Sequence, residues 1–384
     1  MSAEPRDEVD SAVGADQDAS GGGDAAADRW VVYRPAGEPR WGSEARRQSL
    51  FGPLASRTGA RVVKFWTLLE RRGNAAPVRW LRRRRGDGDR PRLAASEQPP
   101  LRAQALIEGW TRPDAVAIYD DPVAQSRAFG VALDEATTRD LRARLDLSIE
   151  LFERLVVPTA SFGALAGLPA ERLIVAGNGT DTGSIIPGPW PERPVIGMVS
   201  GAGPGRGIEL LLEAGRLLRD RHRDLVLRLW LVGTSPASDR YLAELRASVV
   251  PEPWVKIEAV PHAGLGAALA TATVLCIPHP PNDYLDVALP VKLLDSMASG
   301  RPVVVTPRTE TAAIIRRAEA GAVTAGEGAE DVAAAIDTIL ADAALARRLG
   351  AAGRAIAVRE FDWAVVSGRL ADTLLRRGGP ARRD

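Results

Sequence analysis

Residues able to do chemistry concentrate in two short segments of the chain's second half. The first, Gly201-Ala202-Gly203-Pro204-Gly205-Arg206-Gly207, sets four glycines around one arginine. Glycines let backbone N–H groups come close to an anion, and a helix opening there adds partial positive charge. Arg206 contributes a full charge and a fork of donors suited to a diphosphate. The competing reading is a flexible turn with a solvated arginine. The spacing loosely resembles a dinucleotide fingerprint, but Arg206 stands where its third glycine belongs. The next strand ends in Val232-Gly233-Thr234, which offers no acid to a ribose. A nicotinamide-dependent oxidoreductase would rest on that loop alone.

The second segment runs from Pro290 to Val303. Pro290 suits a first helical turn and Gly300 a C-terminal cap, with Leu294, Met297 and Ala298 packing inward at helical spacing. Lys292 and Asp295 lie three apart on one side of that helix. The lysine could hold a phosphate and the carboxylate could accept from ribose hydroxyls; equally, the two could form a surface i,i+3 ion pair. His279, in the loop before this helix, is placed to touch a sugar. His262 follows a strand end and faces either a base or water, and His222 is expected to be solvated. Cys276, the single cysteine, sits in the apolar run 273–277 and reads as a buried structural thiol. One cysteine and three scattered histidines support neither a disulfide nor a zinc cluster, so no metal site is expected.

The elements that position these segments follow from the alternation of apolar runs and helical patterns. Strands are expected at 195–200, 225–232, 254–257, 274–277 and 303–306, with helices at 207–221, 239–247, 264–272, 290–299 and 310–318. Further helices cover 329–340, 343–360 and 363–375. Strands separated by helices indicate parallel βαβ units. In such sheets ligands bind at the carboxyl ends of the strands, where both segments fall. The first half is less regular. Strands are expected at 30–33, 61–66, 114–119, 155–157 and 173–175, with helices at 44–57 and 137–154. The fold class is therefore α/β, with two Rossmann-like domains.

The domain boundaries expected are a disordered acidic tail over 1–28 and an N-terminal domain over 29–181 carrying an Arg-rich insert at 71–92. A Pro-rich linker at 182–194 leads to a C-terminal domain over 195–362, a last helix at 363–375 and a loose tail at 376–384. The 384 residues, 45% hydrophobic and 26% charged, are ordinary for two globular domains. A net charge of +1, from 50 basic and 49 acidic residues, does not support a nucleic-acid partner. No run approaches the roughly 20 apolar residues of a spanning helix, and the polar N-terminus is no secretory signal. A cytoplasmic protein is expected. The arginines at 79–85 form a solvated loop or, with Trp80 and Leu81, a peripheral contact with anionic membrane lipid.

In combination these segments resemble the family 4 glycosyltransferases of the GT-B fold, over about residues 140–375. Asn178-Gly179-Thr180-Asp181 is similar to the family's Asn-Gly-x-Asp before the interdomain linker. Arg206-Gly207 with the helix that follows is similar to its Lys/Arg-Gly loop. Pro290–Val303 is similar to its Pro-x-Lys-Leu-x-Glu-x-Met-Ala-x-Gly-x-Pro-Val block, and Gly353-Arg354 through Phe361-Asp362-Trp363 to its closing helices. The resemblance implies parallel sheets facing an interdomain cleft, here with a reduced N-terminal domain. It also implies metal-independent transfer of a sugar, with retention, from a nucleoside-diphosphate donor to a glycan, lipid-linked or small-molecule acceptor, in the setting of envelope polysaccharide synthesis. The donor is a co-substrate and no cofactor is implied. Carried over position by position, Gly203, Gly205, Arg206, Gly207, His279, Lys292 and Leu293 belong to donor binding, and Asp295 to the ribose hydroxyls. The base would be met largely by backbone near 254–260.

The chain departs from the family at three positions. The first acid of the family's Glu-x7-Glu pair is replaced by Val287, leaving Asp286 or Asp283 as neighbours that could serve. An arginine common five residues before Arg206 is Gly201 here, which shifts phosphate charge onto Lys292. The usual active-site histidine has no counterpart, its nearest candidates being Tyr119 and Asp120, although Asp120-Asp121-Pro122 could simply start a helix. These departures leave open an alternative, a catalytically degenerate GT-B protein acting as a binding or assembly partner.

Overall fold

The computed structural model describes residues 31–34, 61–64, 92–94 and 115–377, apart from residue 234. Its strands form two six-stranded sheets in which every pairing is parallel. The first holds β1 (Val31–Arg34), β2 (Arg61–Lys64), β3 (Arg92–Ala94), β4 (Ala115–Ala117), β5 (Arg154–Val157) and β6 (Leu173–Val175), in the order β2-β1-β3-β4-β5-β6. The second holds β7 (Val195–Gly201), β8 (Val226–Val232), β9 (Val255–Glu258), β10 (Val274–Ile277), β11 (Val303–Val305) and β12 (Gly321–Val323), in the order β12-β11-β10-β7-β8-β9. That order is the doubly wound one, and its direction reverses between β7 and β10.

Two strands depart from the expectation. β3 begins at the last residue of the expected Arg-rich insert, and β12 was not expected. Each has three residues, too few to display a period, so the neighbouring ladder decides their conformation. The acidic tail 1–28, the helix expected over 44–57, the arginine run 79–85 and residues 378–384 lie outside the described residues.

The helices of the first lobe are α1 (Pro122–Ala128), α2 (Glu135–Leu151) and α3 (Ala160–Leu165); those of the second are α4 (Ile208–Leu218), α5 (Pro236–Ser248), α6 (Leu265–Leu269), α7 (Asp283–Val287), α8 (Val291–Ala298), α9 (Thr309–Ala318), α10 (Ala329–Leu340) and α11 (Ala343–Ile356). A π-turn, Ala357–Phe361, then leads into α12 (Trp363–Arg377). The inward faces match the helical period: on α8, Leu294, Met297 and Ala298 are fully buried against β10 and β11 residues. On α4, Ile208, Leu211, Leu212 and Leu218 join Ile196, Met198 and Cys276 in the core on the other side of the sheet. Burial pushes the Cys276 thiol up, so it packs as a small apolar group.

Helix α12 crosses back to the first lobe, where Trp363, Val366 and Leu370 pack on Ala115, Val156 and Ile174. The crossing is held at the 178–181 motif. The Thr180 amide donates to the Phe361 carbonyl at 2.8 Å, and the Trp363 amide donates to the Thr180 carbonyl at 3.1 Å. Gly179 is required there, since a Cβ would lie 2.6 Å from the Trp363 ring. The linker is pinned by Arg301, 1% exposed, which donates to the carbonyls of Gly188, Pro189 and Ala270 at 2.8, 2.6 and 2.5 Å and lies 4.2 Å over the Trp190 ring.

Candidate functional site

A reversal of strand order opens a crevice at the carboxyl ends of the two flanking strands. Here those strands are β7 and β10, so the crevice is walled by the glycine loop after β7 and by Pro278-His279 after β10. The two loops touch at Gly207, which caps α4 with a φ of +79°. A Cβ at that position would run into the Pro278 carbonyl oxygen, so the close approach requires glycine.

Within the crevice lies a cavity of about 310 Å³, lined on the second lobe by Ser200, Gly201, Arg206, His279 and Lys292, and on the first by Tyr119, Asp120, Gln125 and Phe129. The Arg206 guanidinium is partly buried, with Gly201 beside it and the Phe129 ring 3.8 Å away. Its Nε is buried without a hydrogen-bond partner. Burial lowers its pKa, partly opposed by Tyr284 and Tyr241. The Lys292 ammonium donates to Ser200 Oγ at 3.3 Å. Burial first, and then the charge of Arg206, brings its pKa down to about 7. Burial also holds the His279 imidazole well below its usual range, with Lys292, Arg206 and Arg308 adding to the effect, so His279 is neutral near pH 7. No carboxylate among the described residues pairs with Arg206 or Lys292. Two basic side chains, Lys292 about half charged near pH 7, thus face one cavity without a carboxylate ion-paired to either among the described residues, which favours an anion between them.

The first lobe supplies the acid of the cavity. Asp120 Oδ1 accepts from the Tyr284 hydroxyl at 3.0 Å and from Gln125 Nε2 at 3.3 Å. It is Asp121 that starts the helix, accepting from the amides of Val123 and Ala124 at the head of α1. Tyr119 donates to the Ala176 carbonyl at 2.8 Å.

Other sequence candidates stand off the cavity wall. Asp286 is ion-paired with Arg308 at 2.9 Å, and Arg308 also meets Glu327. Asp283 is exposed at the start of α7. Val287 packs in the first lobe's core cluster while its carbonyl accepts from the Thr159 hydroxyl at 2.9 Å. Leu293 is fully buried in the core. Asp295 is 6% exposed and accepts from the Thr180 hydroxyl at 2.7 Å. Burial raises its pKa to about 7, the Thr180 bond opposing that shift and Asp181 adding to it. The Lys292–Asp295 ion pair, the alternative reading of that spacing, does not form: Lys292 turns to Ser200 and Asp295 to Thr180. Gly203 and Gly205 shape the loop, and a Cβ at Gly205 would lie 2.5 Å from the Ala128 carbonyl of the other lobe. His222 is not merely solvated: its Nε2 pairs with Asp337 at 2.7 Å. His262 is exposed.

Sequence reasoning missed Ser200, Gln125, Phe129 and Tyr284. Ser200 carried a signal as the end of β7. Gln125 and Tyr284 come from short helices, and Phe129 from the C-cap of α1, where the apolar pattern gives no hint of the facing lobe.

Among the described residues, no three His, Cys, Asp or Glu side chains gather as a metal site needs, and no helix is long and apolar enough to cross a membrane. Residues 193–342 match the family model described as glycosyl transferases group 1. A GDP-mannose-dependent alpha-(1-6)-phosphatidylinositol monomannoside mannosyltransferase of Mycolicibacterium smegmatis is 30% identical over 192 residues, 48% of this chain and 49% of that protein. A phosphatidyl-myo-inositol mannosyltransferase of Mycobacterium leprae is 30% identical over 168 residues, 44% of this chain and 42% of that protein. The chain spans about half the length of the curated relatives it matches. Anabaena Alr3699/HepE, solved in complex with UDP and glucose, superposes with a TM-score of 0.67 at 16% identity, covering 90% of this chain and 99% of that one. WaaG, a glycosyltransferase involved in lipopolysaccharide biosynthesis, superposes with a TM-score of 0.62 at 15% identity, covering 91% and 100%. Two doubly wound lobes closed on a cleft, together with superposition on these structures over nine-tenths of the chain, give this protein the GT-B fold, and its second lobe is similar over residues 193–342 to the group 1 glycosyl transferases.

Proposed function

We propose that the chain transfers a sugar, with retention and without a metal ion, from a nucleoside-diphosphate sugar to a glycan, lipid-linked or small-molecule acceptor. The observation that carries this reading is the pair Arg206 and Lys292, two basic side chains on one cavity wall with no ion-paired carboxylate among the described residues. As the glycosidic bond to the diphosphate breaks, negative charge grows on the leaving phosphate. Basic groups already fixed around the diphosphate stabilise that charge at little reorganisation cost. This is the service a divalent ion would otherwise give.

In this reading the glycine loop with Gly203, Gly205 and Gly207 receives the diphosphate beside Arg206, Lys292 and the backbone of Leu293. Neutral His279 faces the sugar. Asp120 is the acid presented by the acceptor lobe, and Asp286 keeps to its ion pair with Arg308. Asp295 reaches ribose hydroxyls only by leaving Thr180. The mannosyltransferase relatives make GDP-mannose the first donor to try, and the UDP complex of a structural neighbour makes UDP-glucose the second.

The test is calorimetry with UDP, GDP and these two donors, followed by turnover on lipid-linked and soluble acceptors. Binding of one nucleoside diphosphate is expected, weakened about 10- to 100-fold in Arg206→Ala, the loss of one or two charge-assisted hydrogen bonds. Absence of heat and of any thermal shift with all four ligands would refute the reading. Donor binding without transfer to any acceptor would point instead to a degenerate binding partner.

A further inference from the structure

The charge of Arg206 belongs to the second lobe, but what holds it in place belongs to the first. Its guanidinium lies between Gly201 and Phe129: a Cβ at position 201 would sit 3.2 Å from Cζ, and the Phe129 ring centroid is 3.8 Å from it on the other lobe. Gly201 thereby leaves the room that the group occupies. Phe129 is itself fixed edge-on against Tyr284, with ring centres 6.4 Å apart at 81°. Tyr284 in turn bonds Asp120 and accepts from Gln125 at 3.0 Å, both of the first lobe. The loop and α1 also meet directly, since Gly205 has no room for a side chain beside the Ala128 carbonyl.

Resting on the donor reading above, we propose that Phe129 is a positioning residue for diphosphate binding. Its ring holds the Arg206 guanidinium against Gly201 and aims its free N–H groups into the cavity when the lobes are together. A cation over an aromatic face is held without losing its hydrogen-bonding edge, which an ion pair with a carboxylate would consume. The arrangement also makes the grip on the leaving group depend on the acceptor lobe, because parting the lobes would remove the ring from Arg206.

The experiment titrates UDP and GDP, separately, into the full chain and into Phe129→Leu and Phe129→Tyr, with thermal unfolding of each as a check on folding. Leucine keeps apolar bulk but has no ring face. It should weaken binding of the preferred diphosphate about 3- to 30-fold, the range a partly desolvated cation–π contact supports. Tyrosine should restore binding to within about twofold of the parent. The inference is overturned if Phe129→Leu binds as the parent does, or if Phe129→Tyr is as weak as Phe129→Leu. If the parent chain binds neither diphosphate, the donor reading fails and this inference falls with it; if the parent binds and the variants match it, only this inference falls.

Discussion

Diphosphate binding should depend on pH across neutrality, and Lys292 should be the cause. With a pKa brought to about 7 by burial and by Arg206, the side chain is about half protonated at pH 7 and about one tenth protonated at pH 8. A diphosphate accepts hydrogen bonds from the ammonium, so binding draws a proton onto Lys292. Affinity should then fall about fivefold between pH 7 and 8 and nearly tenfold between pH 8 and 9, until the raised pKa of the complex is reached. Calorimetry in two buffers of different ionisation enthalpy should count about half a proton taken up at pH 7 and about 0.9 at pH 8. Lys292→Arg, charged throughout this range, should bind with a flat profile and so corrects for titration of the ligand itself. The chain has three lysines, Lys64, Lys256 and Lys292. After reductive methylation with a carbon-13 label, the three lysine signals and that of the N-terminal amine can be followed directly, the Lys292 signal being identified by its loss in Lys292→Arg. A Lys292 signal titrating near pH 10 in the free protein, or an unchanged pH slope in Lys292→Arg, would refute the reasoning.

Three further perturbations follow from the same geometry. Gly207→Ala forces a side chain onto a φ of +79° and into the Pro278 carbonyl; it should cost at least about 1–3 kcal/mol in urea unfolding and displace Arg206, and unchanged stability would contradict the loop contact. Asp295 titrates near 7 in the folded chain against 3.8 as its ordinary value. The folded state therefore holds the extra proton, and this group's stabilisation is complete below about pH 4 and lost as pH rises through 7. Asp295→Asn should remove that part of the decline in melting temperature between about pH 4 and 7, and parallel profiles for the two proteins would argue against it. Gly179→Ala brings a methyl to 2.6 Å from the Trp363 ring; about 1–3 kcal/mol of lost stability, and faster hydrogen exchange confined to α12, are expected from such overpacking.

The cleft as described is closed by contacts that each lobe supplies to the other. Besides the Phe129–Arg206 and Tyr284–Asp120 pairs, the Thr159 hydroxyl reaches the Val287 carbonyl and Ser161 meets Glu310. Helix α7 is central to this closure, since Tyr284 and Leu285 are buried with Val116, Ile118 and Phe162 of the first lobe. Valine at position 287, where the family resemblance implies an acid, is consistent with that packing role. A carboxylate there would carry charge into an apolar cluster and raise the cost of closing.

Local pattern alone determined much of this protein. Alternating apolar strands and amphipathic helices laid out the second lobe, and glycines and proline marked where α4 and α8 begin. Helical period alone chose the buried face of α8, and the loop rich in glycine was placed correctly at a strand end. These features rest on interactions between residues a few positions apart, which spacing records directly. The tertiary structure decided what each charged group faces. Lys292 and Asp295, three residues apart, look like one ion pair in the sequence, yet Ser200 and Thr180 take them in different directions. Three-residue strands β3 and β12 exist only because neighbouring strands offer them ladders. Phe129 and Arg206 are 77 positions apart and meet across two domains. No periodicity encodes such a contact, since it depends on how two separately folded sheets are set against each other.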